Sequence, residues 1–223
     1  MSLSVLRRRL LPLLFPQEAV CHLCDRALDR SGSCLCPACL SALRTLRLPR
    51  EQMLTLHQPL LSCMSAYRYE GEARQLCHLL KYRGDAAAAR PLGEGMAEAL
   101  ALSGLTQTLD MVLPVPLHPE RLRKRGYNQA ALLARAVCDH VSLPLTEAAL
   151  ARVKHGASQL SRTRAQRLTA LSGAFEANRR LVAGRRVLLI DDVLTTGATA
   201  VSCAGALLKA GAAEVSLLSA CRA

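Results

Sequence analysis

Residues 187–200 read VLLIDDVLTTGATA, and the fold turns on how that stretch is understood. Val187 to Ile190 is an apolar run with β-branched ends, the pattern of a strand buried on both faces of a parallel sheet. The carboxyl ends of such strands are where open α/β sheets hold ligands. Asp191 and Asp192 follow at once, and a Thr195-Thr196-Gly197-Ala198-Thr199 turn then opens an Ala-rich helical segment. The threonines offer hydroxyls, Gly197 permits a tight turn, and the first N–H groups of the next helix point into the loop. Such a loop suits a phosphate. Two carboxylates would repel that phosphate unless the ligand also brought hydroxyls for them to accept, and a vicinal diol beside a phosphate, as in a ribose 5-phosphate, satisfies both. The spacings G-x-x-x-x-G-K-[ST] and G-x-G-x-x-G are both missing here, which excludes the two commonest nucleotide loops. A plain helix cap would need only one of the acids.

Composition bounds the rest. With 223 residues and 51% apolar content, the chain can bury one ordinary core plus a small appendage. Aromatic residues make up 3% and Trp is absent, so the core must be built from Leu, Ala and Val, and a broad aromatic platform for nucleic-acid bases is disfavoured. Lys and Arg number 29 against 17 Asp and Glu, a formal charge of +12 that favours phosphorylated metabolites, nucleic acid or both. Half of the ten cysteines crowd into residues 21–39 and the others are scattered singly. That is the usage of a reducing compartment with one metal site rather than of a disulfide scaffold. The opening MSLSVLRRRLLPLLFPQ has arginines before an apolar run, but Pro12 interrupts the run and no small-residue cleavage site follows. The expected location is cytoplasmic.

Cys21 and Cys24 form one C-x-x-C, Cys36 and Cys39 another, with a Ser31-Gly32 turn signal between them. Two such knuckles offer four thiolates in the arrangement Zn²⁺ prefers. Cys34 is an alternative to Cys36 in the second knuckle, and His22 is a more distant candidate. A redox C-x-x-C usually stands alone in a thioredoxin-like setting, which this segment lacks. Residues 2–14 place Leu, Val and Arg at helical spacing and predict a short amphipathic helix. Residues 1–45 therefore form an N-terminal helix and cysteine module, the Pro-punctuated residues 46–61 a linker, and residues 62–223 the main domain.

In the main domain, 63–69 predicts a strand, 70–85 an amphipathic helix with Leu76, Leu79 and Leu80 inward, and 86–103 a second helix entered through Pro91. Lys81 falls where the first helix ends, a place that suits either a ligand-binding cation or a charge balancing the helix dipole. A strand at 110–117 leads into Arg121, Arg123, Lys124 and Arg125 before Gly126, and such a cluster needs an anion or solvent screening. A helix over 127–141 uses Ala131, Leu132, Ala134 and Val137 for packing, and a basic loop over 152–167 has the polarity of an anion-closing lid. A helix over 197–210, a turn at Gly211 and a strand at VSLLSA complete an alternating α/β pattern.

Residues 187–200 resemble, along their whole length, the phosphoribosyl pyrophosphate (PRPP) binding motif of type I phosphoribosyltransferases. With LLFPQEAVCHLC at 13–24, KYRGD at 81–85, PVPLHPERLRKRGYNQAALLA at 114–134 and the Gln159…Arg167…Phe175 spacing, nearly the whole chain resembles the ComF/GntX family of phosphoribosyltransferase-like proteins. The resemblance implies an α/β fold, a type I phosphoribosyltransferase-like parallel sheet flanked by helices, with a small zinc-ribbon-like module at the N-terminus. It implies that Asp191 and Asp192 bind the ribose 2′ and 3′ hydroxyls and that Thr195, Thr196, Gly197, Ala198 and Thr199 wrap the 5′-phosphate. Lys81 and Arg125, with Gly126, Asn128 and Gln129, become pyrophosphate-side or substrate-side groups, structural Zn²⁺ sits on Cys21, Cys24, Cys36 and Cys39, and Mg²⁺ arrives with PRPP. The family's proposed setting is DNA uptake, natural transformation or use of external DNA. Two readings follow: a phosphoribosyltransferase with an unknown acceptor, or a non-catalytic PRPP or nucleotide sensor that engages single-stranded DNA or a DNA-processing partner.

Overall fold

The computed structural model describes residues 19–28, 33–55, 59–60, 62–153 and 173–223. The helix expected at 2–14 and most of the basic loop at 152–167, including Gln159 and Arg167, lie outside them. Among the described residues a five-stranded sheet has the order β1-β2-β7-β6-β3, where β1 is Leu54–Thr55, β2 Cys63–Arg68, β3 Met111–Pro114, β6 Arg186–Leu194 and β7 Glu214–Arg222. All neighbours run parallel except β1, which pairs antiparallel with β2 at the edge. Two short strands, β4 (Leu150–Arg152) and β5 (Phe175–Ala177), form a separate antiparallel pair.

Helices cover both faces, as the alternation of β6 requires. Leu188 and Ile190 point into a core shared with Leu92, Met96 and Leu100 of α4 (Ala89–Ser103) and Leu133, Ala134 and Val137 of α6 (Gln129–Cys138). Val187 and Leu189 point the other way, onto Ala200, Cys203 and Leu207 of α8 (Ala198–Lys209) and onto Phe175. The remaining helices are α1 (Pro37–Thr45), α2 (Arg50–Met53), α3 (Gly71–His78), α5 (Pro119–Arg125) and α7 (Arg179–Val182). Within residues 46–61, α2 and β1 carry structure of their own, and Leu46 and Leu48 exchange backbone hydrogen bonds with β2.

Three element boundaries differ from the sequence expectation, each for a local reason. The helix expected over 70–85 is α-helical only to His78 and continues as a π-turn over Leu79–Arg83, closed by Gly84 at φ 73°. The helix expected over 127–141 is shorter at both ends, because Asn128 caps it and the chain turns at Asp139. The basic run Arg121–Arg125, given no element from the sequence, lies in α5, started by the His118 ring accepting from the Glu120 N–H and by Pro119 in the first turn.

The centre of the sheet carries a polar seam. Ser65 and Ser219 share a hydrogen bond of 2.8 Å and Ser62 donates to Ser216 at 3.1 Å, so hydroxyls buried between β2 and β7 satisfy one another. Helix α4 lies close on β2 because it carries glycine where they touch: a Cβ on Gly95 would overlap the Tyr67 hydroxyl, which itself donates to Pro91 O. Gly95→Ala is expected to destabilise the fold by ~1–3 kcal/mol, since the ring is buried and has nowhere to retreat. A drop in the thermal midpoint with an unchanged far-UV spectrum would be the signature, and an unchanged midpoint would refute the close approach.

Candidate functional site

Strand β6 does not stop at Ile190. It continues through both acids to Leu194, because β7 supplies a continuous ladder in which Asp191 pairs with Ser219 and Val193 with Cys221. Successive side chains on a strand alternate faces, so the two carboxylates part company. Asp192 turns to the α3 side, where its Oδ1 meets Lys81 Nζ at 3.0 Å. Asp191 turns to the α8 side, within electrostatic range of Cys203 and of Arg152 on β4.

The π-turn explains how Lys81 arrives there. A π-turn widens a helix by one residue and is often found at functional positions, and Tyr127 fixes this one by donating its hydroxyl to Leu80 O at 2.5 Å. Only 23% of the Lys81 side chain and 14% of that of Asp192 are exposed, so solvent screens the pair weakly. Burial opposes the Lys81 charge, but Asp192 and Asp191 more than offset it and hold the ammonium above its ordinary range. Burial and the adjacent Asp192 charge push Asp191 up to about 7, against the pull of the Asp192 N–H, Lys81 and Arg152. That N–H donates to Asp191 Oδ1 at 2.9 Å.

Beyond Leu194 the chain bends over Thr195 and Thr196, and Gly197 at φ 74° leads into α8. The positive φ is a conformation glycine adopts without strain, and it aims the first N–H groups of a 12-residue helix into the bend. Ala198 N–H donates weakly to Thr196 Oγ1 at 3.5 Å. Thr195 is exposed and Thr199 half-buried.

Other expected site residues lie elsewhere. Arg125, at the end of α5, stands over the Tyr82 ring with its guanidinium carbon 5.9 Å from the centroid. The Asn128 amide is committed to backbone, accepting from Ala130 N–H at 3.1 Å and donating to Val115 O at 3.0 Å, and Gln129 is buried. Arg152 was not singled out from the sequence beyond its membership of a basic loop. Its guanidinium lies on Phe175 of β5 at 5.5 Å, and its Nε is buried without a hydrogen-bond partner among the described residues. Burial, with the nearby Arg121 charge, lowers its pKa, and the buried, unbonded Nε is the feature an anion would satisfy.

The cysteines form a second cluster, apart from the end of β6. The Sγ atoms of Cys21, Cys24, Cys36 and Cys39 all lie within 4.8 Å of one another, and those of Cys24 and Cys36 are 3.7 Å apart. Four sulfurs around a tetrahedral Zn²⁺ at ~2.3 Å would be separated by about 3.8 Å, so the group could hold such a metal with small shifts. Asp25, at φ 58°, turns the first knuckle, and its N–H returns to Cys21 O. Cys36 precedes α1 and Pro37 is that helix's first residue, which places Cys39 back beside Cys36. Burial opposes ionisation of Cys21, but backbone hydrogen bonds at Cys36, Leu23 and Cys24 bring it down to about 6. Cys34 stands outside the group, donating to Ala87 O at 3.4 Å, with burial pushing its thiol up to about 11.

Residues 124–223 match the family described as phosphoribosyl transferase domain. The chain is 31% identical over 216 residues to DNA utilization protein YhgH of Escherichia coli (strain K12), covering 95% of this chain and 94% of that one. It belongs to the ComF/GntX family of phosphoribosyltransferase-like proteins. Competence protein ComFC of Bacillus subtilis (strain 168) is 29% identical over 218 residues, 93% of this ComF/GntX chain and 86% of that relative. Among solved structures, glutamine PRPP amidotransferase from B. subtilis, complexed with ADP and GMP, superposes with a TM-score of 0.44 at 20% identity, over 65% of this chain and 30% of that longer one. No helix of this ComF/GntX protein is long and apolar enough to cross a membrane among the described residues.

Proposed function

We propose that this ComF/GntX protein binds PRPP in the pocket at the end of β6 and transfers its phosphoribosyl group to an acceptor. The observation that carries the reading is the meeting of Lys81 with Asp192, 3.0 Å apart, beside a loop whose glycine turns the first N–H groups of α8 toward the same opening. In this reading Thr195, Thr196, Gly197, Ala198 and Thr199 hold the 5′-phosphate, and Asp191 and Asp192 accept the ribose hydroxyls. Asp192 exchanges its ammonium partner for a hydroxyl, which frees Lys81 for the pyrophosphate. Lys81, with Arg125 and Arg152 contributing long-range positive charge, stabilises pyrophosphate as it leaves and an oxocarbenium-like centre forms at C1. Mg²⁺ brought in with PRPP would screen the pyrophosphate charge. The natural names of the relatives, DNA utilization and competence proteins, support a role in handling external DNA, and the reduced thiol usage supports a cytoplasmic location.

Isothermal titration with PRPP and Mg²⁺, followed by a pyrophosphate-release screen across nucleobases, amines and ammonia, tests the proposal. Binding without release for any acceptor would leave the sensor reading in place, and no binding would refute the pocket assignment. The titration has a predicted pH dependence. Asp191 accepts a hydroxyl more strongly when ionised, and burial with the Asp192 charge holds its carboxyl up to about 7, so affinity should rise as pH approaches about 7 and level off above it. The ligand phosphate also titrates in this range, so the check is the difference from Asp191→Asn, which should lose this part of the slope.

One observation favours a second activity on the same surface. Tyr82 is 68% exposed, lies 4.8 Å from the His78 ring and carries Arg125 over its face, so a ring with a cation against it faces solvent one residue from Lys81. This is a stacking site suited to a base of single-stranded DNA. Oligonucleotide affinity that falls steeply with salt and drops in Tyr82→Ala would support it, and absence of affinity at low salt would refute it.

A further inference from the structure

We infer that His22 and Asp85 form a positioning link through which the cysteine cluster sets the place of Lys81, so that metal occupancy and pocket occupancy are coupled. His22 lies between the first two cysteines of the cluster, and its Nδ1 meets Asp85 Oδ2 at 2.5 Å. Asp85 in turn closes the Lys81 turn from behind. Its N–H returns to Leu79 O at 3.4 Å, and its Oδ1 accepts from Ala87 N–H at 3.1 Å. A second strut runs alongside, since His22 N–H donates to Cys34 O at 2.9 Å and Cys34 Sγ donates to Ala87 O.

The two sides also share one core. Cys21, Leu35, Cys36 and Leu43 belong to the same buried cluster as Leu76, Leu80 and Ala88. Residues around the second cysteine pair and residues around the π-turn therefore share one packed core, in which α1 lies against α3. Lys81 is one residue past Leu80, and its ammonium depends on the turn holding its width to reach Asp192. A ligand or metal that orders one side of such a contact lowers the cost of ordering the other, and the effect must be reciprocal.

The positioning half stands on geometry alone; the coupling to occupancy rests on the PRPP reading. Both are testable in the full-length, zinc-loaded chain. Hydrogen exchange without ligand is measured for peptides covering 79–85 in the wild type, His22→Ala, His22→Gln and Asp85→Asn, with zinc content measured for each. Asp85→Asn retains the acceptor for Ala87 N–H, and His22→Gln retains a donor. The expected result is exchange at least tenfold faster over 79–85 in His22→Ala and Asp85→Asn, partial recovery in His22→Gln, and no change over 188–194 or 215–221, with one zinc per chain throughout. Unchanged exchange over 79–85 in both variants overturns the link. In the second arm, zinc affinity is measured by chelator competition with and without PRPP. PRPP should tighten zinc binding severalfold in the wild type, by the factor by which zinc tightens PRPP, and should not do so in Asp85→Asn. Zinc affinity indifferent to bound PRPP overturns the coupling. Failure of the zinc-loaded wild type to bind PRPP overturns the ligand reading and the coupling together, while the exchange result still decides the link.

Discussion

Replacing Asp191 and Asp192 together by asparagine is expected to abolish PRPP binding at neutral pH while the fold persists. A hydrogen bond to a charged group contributes about 1.5–3 kcal/mol, so losing the charge from two of them should weaken binding by ~100-fold or more. The fold has reason to tolerate the change. Asp191 is held up to about 7 from an ordinary value of 3.8 by burial and by Asp192, so the native chain keeps a proton that the unfolded chain releases. Stability therefore falls as pH rises from the ordinary carboxylate range to about 7, and is level above that. Asparagine removes this cost at position 191, while its introduction at 192 takes away the Lys81 partner. Thermal midpoints at pH 5 and pH 8 separate the two effects: the variant should gain on the wild type at the higher pH. Tight PRPP binding by the double variant would sink the assignment. The paired acids are then a place where stability has been given up for a ligand.

Removing metal should have the largest effect on stability. Zinc in small structural sites is worth about 10–16 kcal/mol, and residues 19–28 with 33–45 are too short a segment to hold together on apolar burial alone. Chelation is expected to raise hydrogen exchange across this segment to near the unfolded rate and to loosen the adjoining 79–88 turn. The strands β2, β3, β6 and β7 should retain their protection. One zinc per chain should be released as the exchange rises. Cys36→Ser should lose that zinc and Cys34→Ser should keep it, because Cys34 bonds Ala87 O instead of facing the other thiols. Loss of zinc from Cys34→Ser, or unchanged exchange on chelation, would refute the four-cysteine assignment.

The features legible in the sequence are those whose logic is local. The apolar run into Asp191, the glycine before α8 and the two C-x-x-C knuckles each lie within a few residues, and they form a strand, a positive-φ turn into a helix and a group of four thiols. Between Cys34 and Cys36 the sequence favours Cys36, whose C-x-x-C encloses Pro37, and the thiols group accordingly; what the sequence does not show is the partner of Cys34, Ala87, 53 residues away. Strand β6 read as ending at the acids because carboxylates are poor strand residues, yet β7 provides the ladder that carries it on to Leu194. Lys81 could be located on a helix end but not joined to Asp192, since only the π-turn gives it the reach. Arg152 gained meaning from its antiparallel pairing with Phe175, which no periodicity signals, and the His22–Asp85 contact spans 63 residues.

Strand β7 occupies the middle of the sheet although it follows all the other strands in the chain. Emerging from a ribosome, β2 and β6 have nothing to join them until residues 214–222 are made, since both pair with β7 and not with each other. The serine seam then admits that strand in a single register, because a slip of one residue would leave the Ser65 and Ser219 hydroxyls buried and unmatched. The pocket at the end of β6 is in this sense assembled last, when Ala223 N–H closes onto Leu194 O and the loop bearing Thr195 gains its floor. Synthesis thus leaves a period in which a long apolar edge waits for its partner.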